Sequence, residues 1–202
     1  MNIDKAKTHL RKVDPTMAKL ISKYGSPNFE PINNHFESLV RSIIYQQLSG
    51  KVAKIIYARY VNLFNKKVPI AKDCLKINEE KLRSIGLSKQ KITYIYNVSE
   101  FFINNQNQFD FHNMAEQDIR KNLISIKGIG PWTIDMFMMF TIFKLDVLPV
   151  GDLGIKKAFK ELFNLDKLPS DKFMTVSSEK WRPYRTIACC YLWMIVDDGD
   201  VW

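Results

Sequence analysis

Two glycine-rich turns hold the residues of this 202-residue chain best suited to chemistry. The first is Ile126-Lys127-Gly128-Ile129-Gly130-Pro131-Trp132-Thr133, and the second is Pro149-Val150-Gly151-Asp152-Leu153-Gly154. A Gly-x-Gly turn that opens a helix leaves backbone N–H groups at a positive helix end. A phosphate can approach there without meeting side chains. Pro131 suits the first helical position, where its missing N–H does no harm. The second turn presents one carboxylate, Asp152, ahead of the helical spacing Ile155, Ala158, Phe159, Leu162 and Phe163. Two readings of Asp152 stand side by side. An aspartate before a helix is a favoured N-cap; a single fixed carboxylate can also stabilise a developing positive charge or orient a water. Asp146 and Asp135 are the nearby competitors. Asp146 precedes the Leu148-Pro149-Val150 run, and Asp135 lies inside the helix after the first turn, placed to be solvated or to cap.

The elements that must position these turns read as helices throughout. Asp14-Pro15 forms a cap and first-turn pair, with Gly25 as the stop. Phe36, Leu39, Val40, Ile43, Ile44, Gln47 and Leu48 fall at helical spacing. Val52, Ile55, Ile56, Tyr60, Leu63 and Phe64 do so again after a break at Ser49-Gly50. A short segment around Leu82 stops at Gly86, and Ser88 can cap the next helix through Ile92, Ile95, Tyr96 and Ile103. Further helices are expected near 116–123, from Pro131 to about Lys144, and through Ile187, Ala188, Tyr191, Leu192 and Ile195. The run Asn104-Asn105-Gln106-Asn107-Gln108 reads as a helix-end loop, and Gly86-Leu87-Ser88 only faintly echoes the first turn. The fold class is all-α.

Composition narrows the partners. Hydrophobic residues make up 46% and charged residues 25%, an ordinary globular balance rather than a disordered one. A net charge of +9 favours a polyanion, although a solvated basic surface explains charge equally well. Cys74, Cys189 and Cys190 are odd in number and two are adjacent, which indicates no disulfide framework. His9, His35 and His112 show no metal-ligand spacing. No signal peptide or membrane-spanning run is apparent, so an intracellular compartment and no membrane partner are expected.

The hairpin residues 123–133 with Asp152 resemble the helix-hairpin-helix DNA glycosylase superfamily, and specifically its alkylated-purine, 3-methyladenine DNA glycosylase II-like branch. The resemblance runs from about Phe36 to Trp193. It implies two helical lobes facing a cleft: residues 1–36 plus 146–202 in one, and 37–145 in the other, the latter carrying the helix-hairpin-helix at about 116–144. It implies a monomer that excises alkylated purines such as 3-methyladenine and 7-methylguanine from double-stranded DNA by base flipping. Asp152 is the matching catalytic carboxylate. Trp132 stands where lyase-type relatives carry a lysine, which implies a monofunctional enzyme without Schiff-base chemistry. Trp132, Trp193 and Met136 match the base pocket, where an indole face attracts a cationic base by ~0.5–2 kcal/mol. Met136 departs from the tyrosine of one bacterial branch.

The same resemblance makes Gln46 and Gln47, in Tyr45-Gln46-Gln47-Leu48-Ser49, the DNA wedge; without it they read as a polar helix end. Gly128, Gly130 and Thr133 would bind phosphate through the backbone, with Lys51, Lys156 and Arg185 as charged contacts. Carbonyls of Ile124, Ile126 and Ile129 would hold a monovalent cation, Na+ or K+. No cofactor is otherwise required, and three cysteines cannot supply the four-cysteine cluster that holds iron–sulfur in some relatives. Trp181, Tyr184 and Lys157 are assigned to scaffold or ordinary surface. Two alternatives remain: a non-enzymatic helix-hairpin-helix DNA-binding module, and a mismatch or oxidised-base glycosylase.

Overall fold

The computed structural model describes residues 3–27, 32, 34–65, 68–105 and 109–196. Its helices in chain order are α1 (Ile3–Val13), α2 (Pro15–Tyr24), α3 (His35–Tyr45), α4 (Gly50–Asn62), α5 (Ala71–Cys74) and α6 (Glu79–Ser84). There follow α7 (Lys89–Asn104), α8 (Glu116–Ile124), α9 (Pro131–Phe140), α10 (Leu153–Leu162), α11 (Asp171–Ser177) and α12 (Arg185–Val196). A single 3-10 turn covers Glu179–Trp181, and no strand occurs among the described residues. The all-α expectation therefore holds. Of the polar run at 104–108, residues 106–108 lie outside the described set.

Packing divides the chain into two compact units, Met1–Pro31 with Met138–Trp202, and Ile32–Phe137. The second break falls inside α9 rather than at 145, where the sequence reading sets it. That helix also ends at Phe140, short of Lys144. Phe143 turns left-handed, with φ 56°, and the Lys144 N–H donates back to the Met138 carbonyl at 2.8 Å, closing the helix end.

In the unit Ile32–Phe137, α7 is the central element, packed against α3, α5 and α6. Leu39, Ile43, Ile92, Ile95 and Val98 are buried at these contacts, each contributing roughly 1.5–3 kcal/mol through apolar burial. Asn34 caps α3 and Ser88 caps α7, both through side-chain oxygens that accept from the first turn. In the other unit α12 is central, packed against α10, α2 and α1. Arg185 through Met194 are all buried along it. The sequence reading does not separate out α1, because only Ala6 and Leu10 are buried in an otherwise charged segment. It also passes over α5 and α11, which are too short to show a period.

Candidate DNA-contact hairpin and carboxylate site

The hairpin belongs to the unit Ile32–Phe137. Its turn is held by local bonds, with Ile126 N–H donating to the Leu123 carbonyl at 3.1 Å and Ile129 N–H to the Ile126 carbonyl at 3.0 Å. Leu123, Ile126 and Ile129 are buried beneath it. Gly128 cannot be another residue. Its φ is +107°, and an added Cβ would lie 2.2 Å from Cγ of Tyr94. Two side chains from distant segments then fix the turn's carbonyls. Asn97 Nδ2 donates to the Lys127 carbonyl at 2.9 Å. Gln46 Nε2 donates to the Gly128 carbonyl at 3.1 Å and to Thr133 Oγ1 at 3.0 Å. Arg120 braces α8 to α9 by pairing with Asp135 at 2.8 Å, so Asp135 is buried in an ion pair rather than solvated.

Beside the turn lies a polar hollow of about 380 Å³ lined by Gln46, Gln47, Lys91, Tyr94, Gly128 and Gly130, among others. Lys91 reaches across α3, donating to the Ile44 carbonyl at 2.8 Å, and burial pulls its ammonium below the usual lysine range. Gln47 is exposed and left-handed, with φ 56°, an uncommon conformation for a residue with a Cβ.

The carboxylate belongs to the other unit. Asp152 is the N-cap of α10, its Oδ1 accepting from the Ile155 N–H at 2.8 Å. The same oxygen accepts from Trp193 Nε1 at 3.0 Å, and the residue is only 7% exposed. The cap role is therefore real, and an indole is added to it. α12 sets this geometry at both ends. Near its start, Thr186 N–H donates to the Leu145 carbonyl at 2.9 Å, and Thr186 Oγ1 donates to the Lys144 carbonyl at 2.7 Å while accepting the Val147 N–H. Two turns later Trp193 meets the carboxylate. One helix thus anchors the segment that leads into the Asp152 turn and the side chain the turn presents.

A second pair of the same kind lies in this unit. Asp14 caps α2 through Oδ1, which accepts from Thr16 N–H at 2.9 Å, while its Oδ2 accepts from Trp181 Nε1 at 2.7 Å. Lys180 Nζ stands 3.0 Å from Oδ2. Trp181, fully buried, is scaffold as expected.

Several expected contacts are placed otherwise. Arg185 is not available to a phosphate: it is 8% exposed, with Nε on Asp146 Oδ1 at 2.7 Å and Nη2 on the Asp146 carbonyl at 2.9 Å. Asp146 is thereby accounted for as a structural anion, which also receives Arg182. Lys156 pairs with Asp171 at 2.9 Å, which answers its charge locally. Met136 is fully buried in α9, a core position rather than an accessible pocket wall. Gln46 turns its amide inward to the hairpin and so is a brace rather than a wedge. Trp132 is half-buried at the start of α9, and Lys51 is exposed on α4. Trp193 is almost fully buried. The carbonyls of Ile124, Ile126 and Ile129 lie at the end of α8 and in the turn, where a helix leaves its last acceptors unspent by its own ladder. Ile126 already accepts one N–H.

Sequence reasoning misses Tyr94 and Asn97, and takes Gly154 only as a member of the second glycine-rich turn, with no role of its own. The first two stand 30 or more residues from the turn they support, beyond any local signal. The third left a trace: glycine occupies a first-turn helical position, where alanine is intrinsically better.

Comparison with known proteins places this architecture. Residues 40–183 match the HhH-GPD superfamily of base excision DNA repair proteins, a span that includes Gln46, the hairpin and Asp152. The chain belongs to that superfamily. It is 32% identical over 197 residues to the alkylbase DNA glycosidase-like protein mag2 of Schizosaccharomyces pombe, covering 95% of this chain and 92% of that protein. It is 29% identical over 200 residues to DNA-3-methyladenine glycosylase 1 of the same yeast, covering 95% and 87%. Among solved structures, the S. pombe 3-methyladenine DNA glycosylase Mag1 in complex with abasic DNA superposes with a TM-score of 0.87 at 29% identity, covering 96% and 97%. A DNA-3-methyladenine glycosidase from Bacillus halodurans gives a TM-score of 0.73 at 36% identity, covering 93% of this chain and 86% of that one. No helix of the described residues is long and apolar enough to cross a membrane, and no group of three or more His, Cys, Asp or Glu among them could hold a metal ion.

Proposed function

We propose that this chain is a monofunctional DNA glycosylase of the 3-methyladenine type, hydrolysing the N-glycosidic bond of alkylated purines in double-stranded DNA and acting as a monomer. The observation that carries the reading is Asp152, fixed through Oδ1 by a helix N–H and an indole N–H, inside a chain of the base excision repair superfamily. Cleaving the bond builds positive charge on the deoxyribose. A fixed anion about 4 Å away is worth ~4 kcal/mol at an effective dielectric of 20, where each ~1.4 kcal/mol gives tenfold in rate. Asp152 supplies that charge and orients the attacking water. Alkylation at a ring nitrogen makes the base itself a cationic leaving group, so the protein needs no strong general acid.

Binding is assigned to the hairpin. Backbone N–H groups of Gly128, Gly130 and Thr133 take a phosphate, the carbonyls of Ile124, Ile126 and Ile129 hold a monovalent cation beside it, and exposed Lys51 adds charge. Gln47, left-handed and exposed, takes the wedge role that Gln46 is too engaged to fill. Trp132, half-buried at the start of α9, recognises the base, and a tryptophan in place of a lysine leaves no amine there for a Schiff base.

The test is release of free base from DNA treated with a methylating agent, with products identified by chromatography. 3-Methyladenine and 7-methylguanine should appear, leaving intact abasic strands that borohydride does not trap on the protein. DNA binding without base release would instead support the non-enzymatic helix-hairpin-helix module, and a trapped adduct would overturn the monofunctional assignment.

A further inference from the structure

Two hydrogen bonds to Asp152 converge on one oxygen, and that convergence has a steric condition. At Asp14 the two donors are shared out: Thr16 N–H goes to Oδ1 and the Trp181 indole to Oδ2. There the second helical residue is a threonine. At Asp152 the indole meets Oδ1, the oxygen already turned toward the first turn of α10. Trp193 is thereby drawn over the second helical position, which is Gly154. A Cβ built on Gly154 would lie 3.1 Å from Asp152 Oδ1, 3.1 Å from Trp193 Cδ1 and 3.3 Å from Trp193 Nε1. It would press on both partners of the 3.0 Å bond at once. Neither can yield easily, since Trp193 is 2% exposed and Asp152 is tied to the Ile155 N–H.

The backbone gives no reason for glycine here. Gly154 lies within α10 and is not left-handed, so an L-residue fits its conformation. Intrinsic helix propensity favours alanine over glycine inside a helix. The requirement therefore comes from the carboxylate and the indole, not from the helix. We infer that Gly154 is a positioning residue for the reacting carboxylate: its missing side chain lets the Trp193 indole lock Asp152 through Oδ1. This rests on the assignment of Asp152 as the reacting group.

Gly154→Ala should displace the pair by a few tenths of an ångström. A misplacement of 1 Å can cost a hundredfold in rate, so kcat on methylated DNA should fall about tenfold. KM should hold, because the hairpin grip is untouched, and any fall in melting temperature should be too small to account for the loss of kcat. The second readout needs no substrate. In the free protein, the Trp193 indole N–H resonance in a 1H–15N spectrum should move on Gly154→Ala, and the Trp181 indole should stay in place as an internal reference. A double-mutant cycle completes the test: on a Trp193→Phe background, which already lacks the indole donor, Gly154→Ala should cost less than twofold.

An unmoved Trp193 resonance with full activity would overturn the inference. So would losses that are additive in the cycle and track the melting temperature. The outcome is separable from the functional assignment, since an active Asp152→Asn enzyme would sink that assignment while the indole shift would still report the steric contact.

Discussion

Asp14 and Asp152 are built alike, and we propose that they are put to different uses. Each caps a helix, and each accepts an indole N–H from a buried tryptophan in the same unit. At Asp14 the anion is answered by Lys180, 3.0 Å away, and the residue is 2% exposed. The bonds from Trp181, Lys180 and Thr16 hold its carboxyl below the usual aspartate range, overcoming the larger single effect, desolvation, which pushes it up. That is a neutralised anchor joining the start of the chain to residues 180–181. At Asp152 both described bonds come from neutral N–H donors and fall on one oxygen. These two donors bring no positive charge to it. The lesson is that an N-cap aspartate is not thereby explained away: the partners around it decide whether the charge is spent.

The sharpest way to break this comparison is Asp152→Asn. The amide keeps the capping oxygen and the indole acceptor, so the fold should survive, with a melting temperature within a few degrees of the parent. Base release should fall by about 10²–10³, the scale seen when a fixed electrostatic partner of a transition state is removed. Binding to abasic-site DNA should change far less. A folded, fully active variant would end the assignment of Asp152. A loss that merely followed stability would reduce Asp152 to a second Asp14.

Asp14→Ala should give the mirror image. It removes a helix cap and leaves the Trp181 indole without its acceptor, together costing roughly 2–4 kcal/mol in a denaturant titration. Activity per folded molecule should be unchanged. If Asp14→Ala abolished turnover while remaining fully folded, the two sites would not be as different as their partners indicate.

Replacing the tryptophans separates them further. Trp181→Phe should cost about 1–2 kcal/mol of stability, because the buried carboxylate of Asp14 loses a donor, with little effect on turnover. Trp193→Phe should do the reverse, lowering kcat about tenfold for a smaller change in stability. Unfolding curves and single-turnover base release on both variants measure the contrast.

The smallest effect lies in the acid limb. Asp14 has a folded pKa below its unfolded value of 3.8, so its contribution is present above pH 3.8 and is lost as pH falls through the lower folded value. Melting temperature measured from pH 5 to 2 should therefore drop less steeply for Asp14→Asn than for the parent. Equal slopes would remove Asp14 from the acid transition.

Much of this was legible before any coordinates. Asp14-Pro15 and Gly25 mark the ends of α2, and Ser88 caps α7, because cap chemistry is local. Gly128 before Pro131 marks the hairpin for the same reason. The charged helix α1 was not legible, since two buried residues in eleven give little period. The end of α9 leaves no sequence signal, because a phenylalanine, not a glycine, takes the left-handed position at 143.

On its neighbouring residues alone Asp152 reads as a cap or as a reacting carboxylate, and the resemblance to the glycosylase superfamily makes it the candidate. The partners around it are not local. Trp193 lies 41 positions away, and Asp146, which claims Arg185, lies 39 from it. Gln46 reaches Gly128 across 82 positions and is thereby engaged in bracing the hairpin. The sequence determined which residues could do chemistry and where the helices begin, because propensity and capping act over a few residues. Only the tertiary structure decided which charges are paired within the fold, because ion pairing, hydrogen bonding and the space beside Gly154 depend on segments brought together from far along the chain.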